Sequence, residues 1–212
     1  MNGNAASTPG FAASSALAGG FERLLDLVAS MTRGDWIAIA IAAVLFFWAL
    51  GAYNRLVALR RAVAEAWAPA ADVLRRRHEA VRALLAALQQ PLTAEQSALD
   101  ALQQALAAGE AATEALSARP LLRECAAAWM AAEATFNAAA ARVTALAGAA
   151  VNDDGEVTDW SAALAALGEA QGRLPFVRQF FNDAAGSYDE ALALFPTSLA
   201  ARVFGFGPAG RV

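Results

Sequence analysis

Between Trp36 and Tyr53 the chain carries an apolar run with no charged residue, Trp-Ile-Ala-Ile-Ala-Ile-Ala-Ala-Val-Leu-Phe-Phe-Trp-Ala-Leu-Gly-Ala-Tyr. As a helix it spans about 26 Å at 1.5 Å per residue, close to the roughly 30 Å of a bilayer hydrocarbon core. Backbone groups in lipid must be satisfied inside the segment, so the run is predicted to be one transmembrane helix. Trp36 stands at one end and Trp48 with Tyr53 at the other, where interfacial aromatics belong. The competing reading, a core helix of a soluble protein, requires a partner surface apolar enough to cover it on all sides. No other stretch of the chain supplies one.

No turn signal separates this run from the residues after it. Leu56, Leu59, Val63, Trp67, Ala70, Leu74, His78, Val81, Leu85 and Leu88 recur in steps of three and four, the period of a packed helix face. Pro69 is expected to kink this helix, and Gln89-Gln90-Pro91 to end it. Thr93 with Gln96 reads as a capping box for a second helix with the stripe Leu99, Leu102, Leu106, Gly109, Thr113, Leu116. After Ser117-Ala-Arg-Pro120, a third helix carries Leu122, Cys125, Trp129, Ala132, Phe136, Ala139, Val143 and Leu146, with Gly148 as its C-cap. Val151 to Asp159 reads as an acidic loop. A fourth helix starts near Trp160, with Leu167, Leu174, Phe181, Tyr188 and Phe195 at heptad spacing, which favours coiled-coil-like packing. Gly172 and Pro175 are expected to bend or break it, and Pro196 to end it.

Short connections between successive helices imply antiparallel neighbours. The fold class predicted is therefore all-α: a single N-terminal transmembrane helix continuing into an antiparallel up-down bundle of about four helices. The divisions are residues 1–33, a small-residue start; 34–54, the transmembrane helix; 55–197, the bundle; and 198–212, an apolar tail. Met1 to Gly20 has no hydrophobic period and reads as disordered. Phe21, Leu24, Leu25, Val28 and Met31 have helical spacing, which suits either a short helix on the bilayer surface or chance in a disordered stretch. The late position of the first apolar run argues against a cleavable signal peptide.

Composition sharpens this picture. Alanine exceeds a quarter of the chain, lysine is absent and all 16 cations are arginine. The net charge of −4 gives no reason to expect nucleic acid. Cys125 is the one cysteine, so no internal disulfide forms, which fits a reducing compartment. Arg55, Arg60 and Arg61 come after the apolar run and Arg23 and Arg33 precede it, a small bias toward a cytoplasmic C-terminal domain.

Two segments resemble the LemA family of bacterial membrane-anchored proteins. The first is Tyr53-Asn-Arg-Leu-Val57, Leu59-Arg60, Glu65-Ala-Trp67 and Leu74-Arg-Arg-Arg77. The second is Phe181-Asn-Asp-Ala184, Tyr188, Phe195-Pro-Thr-Ser-Leu199 and Phe204-Gly-Phe206. Pro69 and Pro175 depart from the family pattern, as does Val81-Arg82-Ala83 where an Ile-Pro-Asn sequence is usual. The resemblance implies a short extracytoplasmic start and a cytoplasmic helical domain at the inner membrane, and it brings no catalytic residues.

Candidate chemistry is sparse. His78 is the only histidine and lies on the first seam, where packing is its expected role. Cys125 lies on the third seam as a small buried thiol. Asn152-Asp-Asp-Gly-Glu156 lacks the ligand pattern of a calcium loop, and Phe204-Gly-Phe-Gly-Pro208 is no phosphate loop. Arg75-Arg-Arg77 is expected on the surface, as free charges or ion pairs. No catalytic, cofactor-binding or metal residue is assigned and no cofactor is expected. The expected partners are the lipid bilayer, through residues 36–53, and other proteins, a second copy among them. The function expected is a non-enzymatic scaffold or adaptor at the inner membrane. The alternative is a membrane-bound enzyme or ligand-binding module with a pocket inside the bundle. Bundle sites usually use inward-facing Glu and His pairs, and the seams are expected to carry almost none. The tail, with Leu199, Val203, Phe204 and Phe206, is expected either to meet the bilayer or to cap the bundle.

Overall fold

The computed structural model describes residues 29–90, 92–150, 160–195 and 197–212, and over them the chain is all-α. Five helices occur in order: α1 Arg33–Leu88, α2 Gln96–Ala118, α3 Arg123–Ala150, α4 Ser161–Ala193 and α5 Thr197–Phe204, with a 3-10 turn at Thr93–Glu95 before α2. No strand occurs among the described residues. Residues 1–28, with the positions Phe21–Val28, the acidic loop 151–159 with its Asn152–Glu156 segment, Pro91 and Pro196 lie outside them. Two compact units divide between Leu50 and Gly51.

In the first unit, α1 begins with a capping box that the hydrophobic pattern did not announce. The Thr32 hydroxyl and backbone N–H both donate to Asp35 Oδ2, at 2.8 and 2.7 Å, and the Asp35 N–H points back to Thr32 Oγ1 at 3.4 Å. Thr32 satisfies an orphan helix donor while Asp35 sits where the helix dipole favours a negative charge. From there α1 runs through the apolar stretch. Ile37, Ile41, Val44, Phe46 and Phe47 are all exposed, and none of the apolar window is buried by the described residues. The core helix of a soluble unit is covered by its neighbours, and among the described residues nothing covers this one. This helix is long and apolar enough to cross a membrane.

In the second unit, two apolar clusters form the core. One gathers Trp67, Trp129, Phe181 and Tyr188 with Leu56, Val63 and Leu74. The other gathers Leu84, Leu88, Leu99, Leu102, Phe136, Val143 and Leu167. The first-seam positions from Leu56 to Leu88 are buried or partly buried as their period predicts, and so is the α2 stripe. Leu122 of the third seam is exposed, because α3 starts one residue later. Phe195 drops out of the heptad. Helix α4 ends at Ala193, and Phe195 is 81% exposed.

Several local signals resolve differently from expectation. Pro69 lies inside α1, where a kink and not an end is expected, and α4 runs through Pro175 without the break that is one expectation there. Each proline removes a donor to the carbonyl four residues earlier, Glu65 and Gln171 respectively. All four residues are exposed. Gly172 is helical too. Thr93 is not the N-cap of α2. Thr93 opens the 3-10 turn, Glu95 is the N-cap of α2 without a side-chain cap, and Gln96 donates to Asp100 Oδ1 at 3.0 Å. Gly148 is no C-cap, since α3 continues to Ala150.

The C-terminal tail is an ordered cap. Helix α5 closes on Gly205, whose φ of +70° is the left-handed conformation glycine adopts without a Cβ clash. The Phe206 N–H then donates to the Ala201 carbonyl at 2.9 Å. Beyond it, Tyr188 Oη donates to the Gly207 carbonyl, and the Ala209 N–H donates to Asp189 Oδ1. The Gly210 N–H reaches the Leu121 carbonyl, and Asn182 binds both main-chain groups of Val212. Ala209 and Val212 are buried in the first cluster, and Phe206 packs on it.

Candidate functional site

The two apolar clusters are separated by a polar layer. On α1 the first cluster ends at Leu74 and the second begins at Ala80; on α3 the corresponding limits are Trp129 and Phe136. The gap holds Arg77 and His78 on α1, Gly109 on α2 and Glu133 on α3, all buried. Arg77 is 1% exposed and Glu133 7%. Arg77 Nη1 donates to Glu133 Oε1 at 2.6 Å and Nη2 to Oε2 at 2.5 Å, a bidentate pair of planar groups. Asn137, one turn along α3, donates to Oε1 at 3.1 Å. The guanidinium carbon stands 4.3 Å from the Phe136 ring centroid, so a cation–π contact covers one face. Among the described residues, Arg77 Nε has no hydrogen-bond partner.

Beside this pair opens a cleft of about 640 Å³ lined by Asn137, Thr144, Gln171, Pro175 and Arg178 together with Arg77 and Glu133. Its rim offers amide, hydroxyl and guanidinium donors around one carboxylate.

His78 lies in the same layer, 4% exposed, with its ring 5.9 Å from that of Phe136. Burial, then the Arg77 charge, push its pKa down to about 4, so the imidazole is neutral at physiological pH. A Cβ on Gly109 would lie 3.6 Å from His78 Nε2, so the glycine leaves the ring a close but unstrained seat. Packing, expected for His78, is what the structure shows.

The expectation for Arg75-Arg-Arg77 is corrected in part. Arg75 and Arg76 are exposed and pair with Asp72, but Arg77 is the most buried cation of the second unit. The expectation that the seams carry almost no inward carboxylate is corrected by Glu133. A signal existed. Arg77 lies three residues after Leu74 and four before Val81, and Glu133 four after Trp129 and three before Phe136, so both hold seam positions.

Trp67 anchors the layer's neighbour. Its indole N–H donates to Ser117 Oγ at 2.8 Å, and its ring meets Trp129 and Phe181 edge to face at 5.8 and 5.2 Å. Trp129 donates in turn to Thr113 Oγ1 at 3.2 Å. Cys125 is a buried free thiol. Among the described residues, no three His, Cys, Asp or Glu side chains gather where a metal could be held.

These features define an all-α protein with one helix apolar enough to span a membrane and a helical unit whose core is divided by a buried ion pair. The profile of the LemA family matches residues 66–211, and the chain belongs to that family. Trp67, Arg77, Phe181, Tyr188 and Phe206, from the two segments that carried the resemblance, all take part in the core, its polar layer or its cap. No curated protein and no solved structure matches the chain.

Proposed function

We propose that the protein is a non-enzymatic scaffold or adaptor anchored in the bacterial inner membrane by one span, with a short N-terminus outside and the helical unit in the cytoplasm. The unit from Gly51 onward is, on this reading, an up-down bundle of four long helices with coiled-coil-like seams. The order of contacts supports it. Trp67 meets Ser117 and Arg82 meets Glu110, so α1 and α2 run in opposite directions. Trp129 meets Thr113 and Arg142 approaches Glu95, the same relation between α2 and α3. The arginine count on either side of the span supports the orientation.

The observation that carries the scaffold reading is Phe176 and Phe180 on α4. They stand one turn apart, 76% and 54% exposed. Aromatic side chains left in water on a helix face are characteristic of protein-contact surfaces. The test is a photo-crosslinking residue at Phe176 in the native host, with Ala101, an exposed α2 position, as control. Discrete adducts from Phe176 and none from Ala101 are expected. Adducts to a second copy would make the partner another molecule of this chain, and no adduct at Phe176 would refute the reading. For orientation, alkaline phosphatase fused after Val212 should be inactive and green fluorescent protein fluorescent.

The cleft beside Arg77 and Glu133 favours a second reading, a ligand-binding or enzymatic module. Native mass spectrometry of gently extracted protein checks it: a bound small molecule, lost on Arg178→Ala, would favour this reading over the scaffold.

A further inference from the structure

Helix α5 leaves an apolar face uncovered. Thr197, Ala200 and Ala201 are buried against the second unit. At about 100° per residue, Leu199, Arg202 and Val203 fall in an arc of about 100° on the opposite side. Leu199 is 53% exposed and Val203 71%, with Leu194 and Phe195 exposed just before the helix. Arg202 is exposed and makes no ion pair among the described residues, and neither does Arg55.

The surface is tied to one place by contacts within its own unit. The Phe204 ring meets the Tyr53 ring at 5.0 Å, and that of Phe206 meets it at 5.9 Å. Tyr53 closes the apolar run that starts at Trp36, so these contacts join the tail to the end of that run. A half-exposed apolar helix with Arg202 on its open face, joined through Phe204 to the residue that closes the apolar run, has the composition of an interfacial helix.

We propose that the outer face of α5, with Leu194 and Phe195, rests in the headgroup–acyl boundary of the bilayer, with Arg55 and Arg202 against anionic headgroups. The inference rests on reading Trp36–Tyr53 as a membrane span. The cap thereby fastens the helical unit to the membrane surface by a second contact, and the ordered bonds from Gly207 to Val212 fix α5 in the orientation that presents this face.

The test uses the full chain with Cys125→Ala, reconstituted in phosphatidylcholine–phosphatidylglycerol vesicles and carrying one nitroxide at a time. The labels go on Val203→Cys, Leu199→Cys, Val44→Cys in the apolar run and Ala101→Cys on α2. Collision with oxygen and with a water-soluble nickel chelate reports depth, and circular dichroism checks that each variant keeps its helix. The labels at Val203 and Leu199 should show several-fold less nickel collision than that at Ala101, with strong oxygen collision. Lipid exposure at Val44 with water exposure at Val203 and Leu199 would overturn this inference and leave the span intact. Water exposure at Val44 would overturn both. Shielding of Val203 from both reagents, with dipolar broadening between labels, would also overturn it and assign the face to a second copy.

Discussion

Replacing Glu133 by alanine tests whether the polar layer is a buried ion pair in energy as well as in geometry. The substitution removes both carboxylate bonds from a guanidinium that is 1% exposed and keeps its cation–π contact with the Phe136 ring. Breaking a buried pair by deleting one partner costs about 3–5 kcal/mol, because the surviving charge stays in a low-dielectric site. The adjoining cleft admits water to the Glu133 side, which places the expected cost near the lower end, about 3 kcal/mol. For a domain of this size that is a drop in melting temperature of about 6–12 °C. The double variant Arg77→Met with Glu133→Leu removes both charges and fills similar volume, so it should lie within about 1 kcal/mol of the parent or above it. The assay is thermal and urea unfolding of the full chain in detergent micelles, monitored by far-ultraviolet circular dichroism. A melting temperature for Glu133→Ala within about 2 °C of the parent would refute the desolvated-pair argument. A double variant as unstable as the single one would show that the layer needs its polarity, not merely its charge balance.

His78 should make stability pH-dependent. Its folded pKa of about 4 lies below the ordinary value of 6.5, so its contribution is fully present above pH 6.5 and is lost as pH falls toward 4. The shift corresponds to at most about 3 kcal/mol, and His78→Met should flatten the urea midpoint across that window relative to the parent; parallel curves would contradict it. Gly210→Ala would place a Cβ 2.6 Å from Ala126 Cβ and 3.0 Å from Arg123 Cα. Overpacking of about 1–3 kcal/mol should loosen the cap, read as faster carboxypeptidase trimming from Val212. Trp67→Phe loses the Ser117 bond and should cost about 1 kcal/mol in urea unfolding. Full-length protein should remain in the membrane pellet after carbonate extraction, and release into the supernatant would contradict the span.

The seams show what sequence alone determines. A long helix must hide one face, so the three-four spacing of Leu56 to Leu88 and of Leu99 to Leu116 reports burial directly, and an uncharged run as long as a bilayer is thick reports a span. The helix break offered for Gly172 and Pro175 and the C-cap expected at Gly148 do not occur. Pro69 and Pro175 sit at exposed positions off the seams, where the carbonyls they free can be hydrated. The capping box at Thr32 and Asp35 was legible in principle, while Thr93 opens a 3-10 turn and Glu95 takes the N-cap of α2. Arg77 and Glu133 stood at seam positions in the sequence, yet they are 56 residues apart and each alone looks like a surface charge. Only the packing of α1 against α3 brings the two within hydrogen-bonding reach, and only that pairing offsets the cost of burying them. The same holds for the tail. Hydropathy marked Phe204 and Phe206 as unwilling to stay in water, but the choice of Tyr53 as their partner, and of Leu199 and Val203 as the face left open, belongs to the tertiary structure.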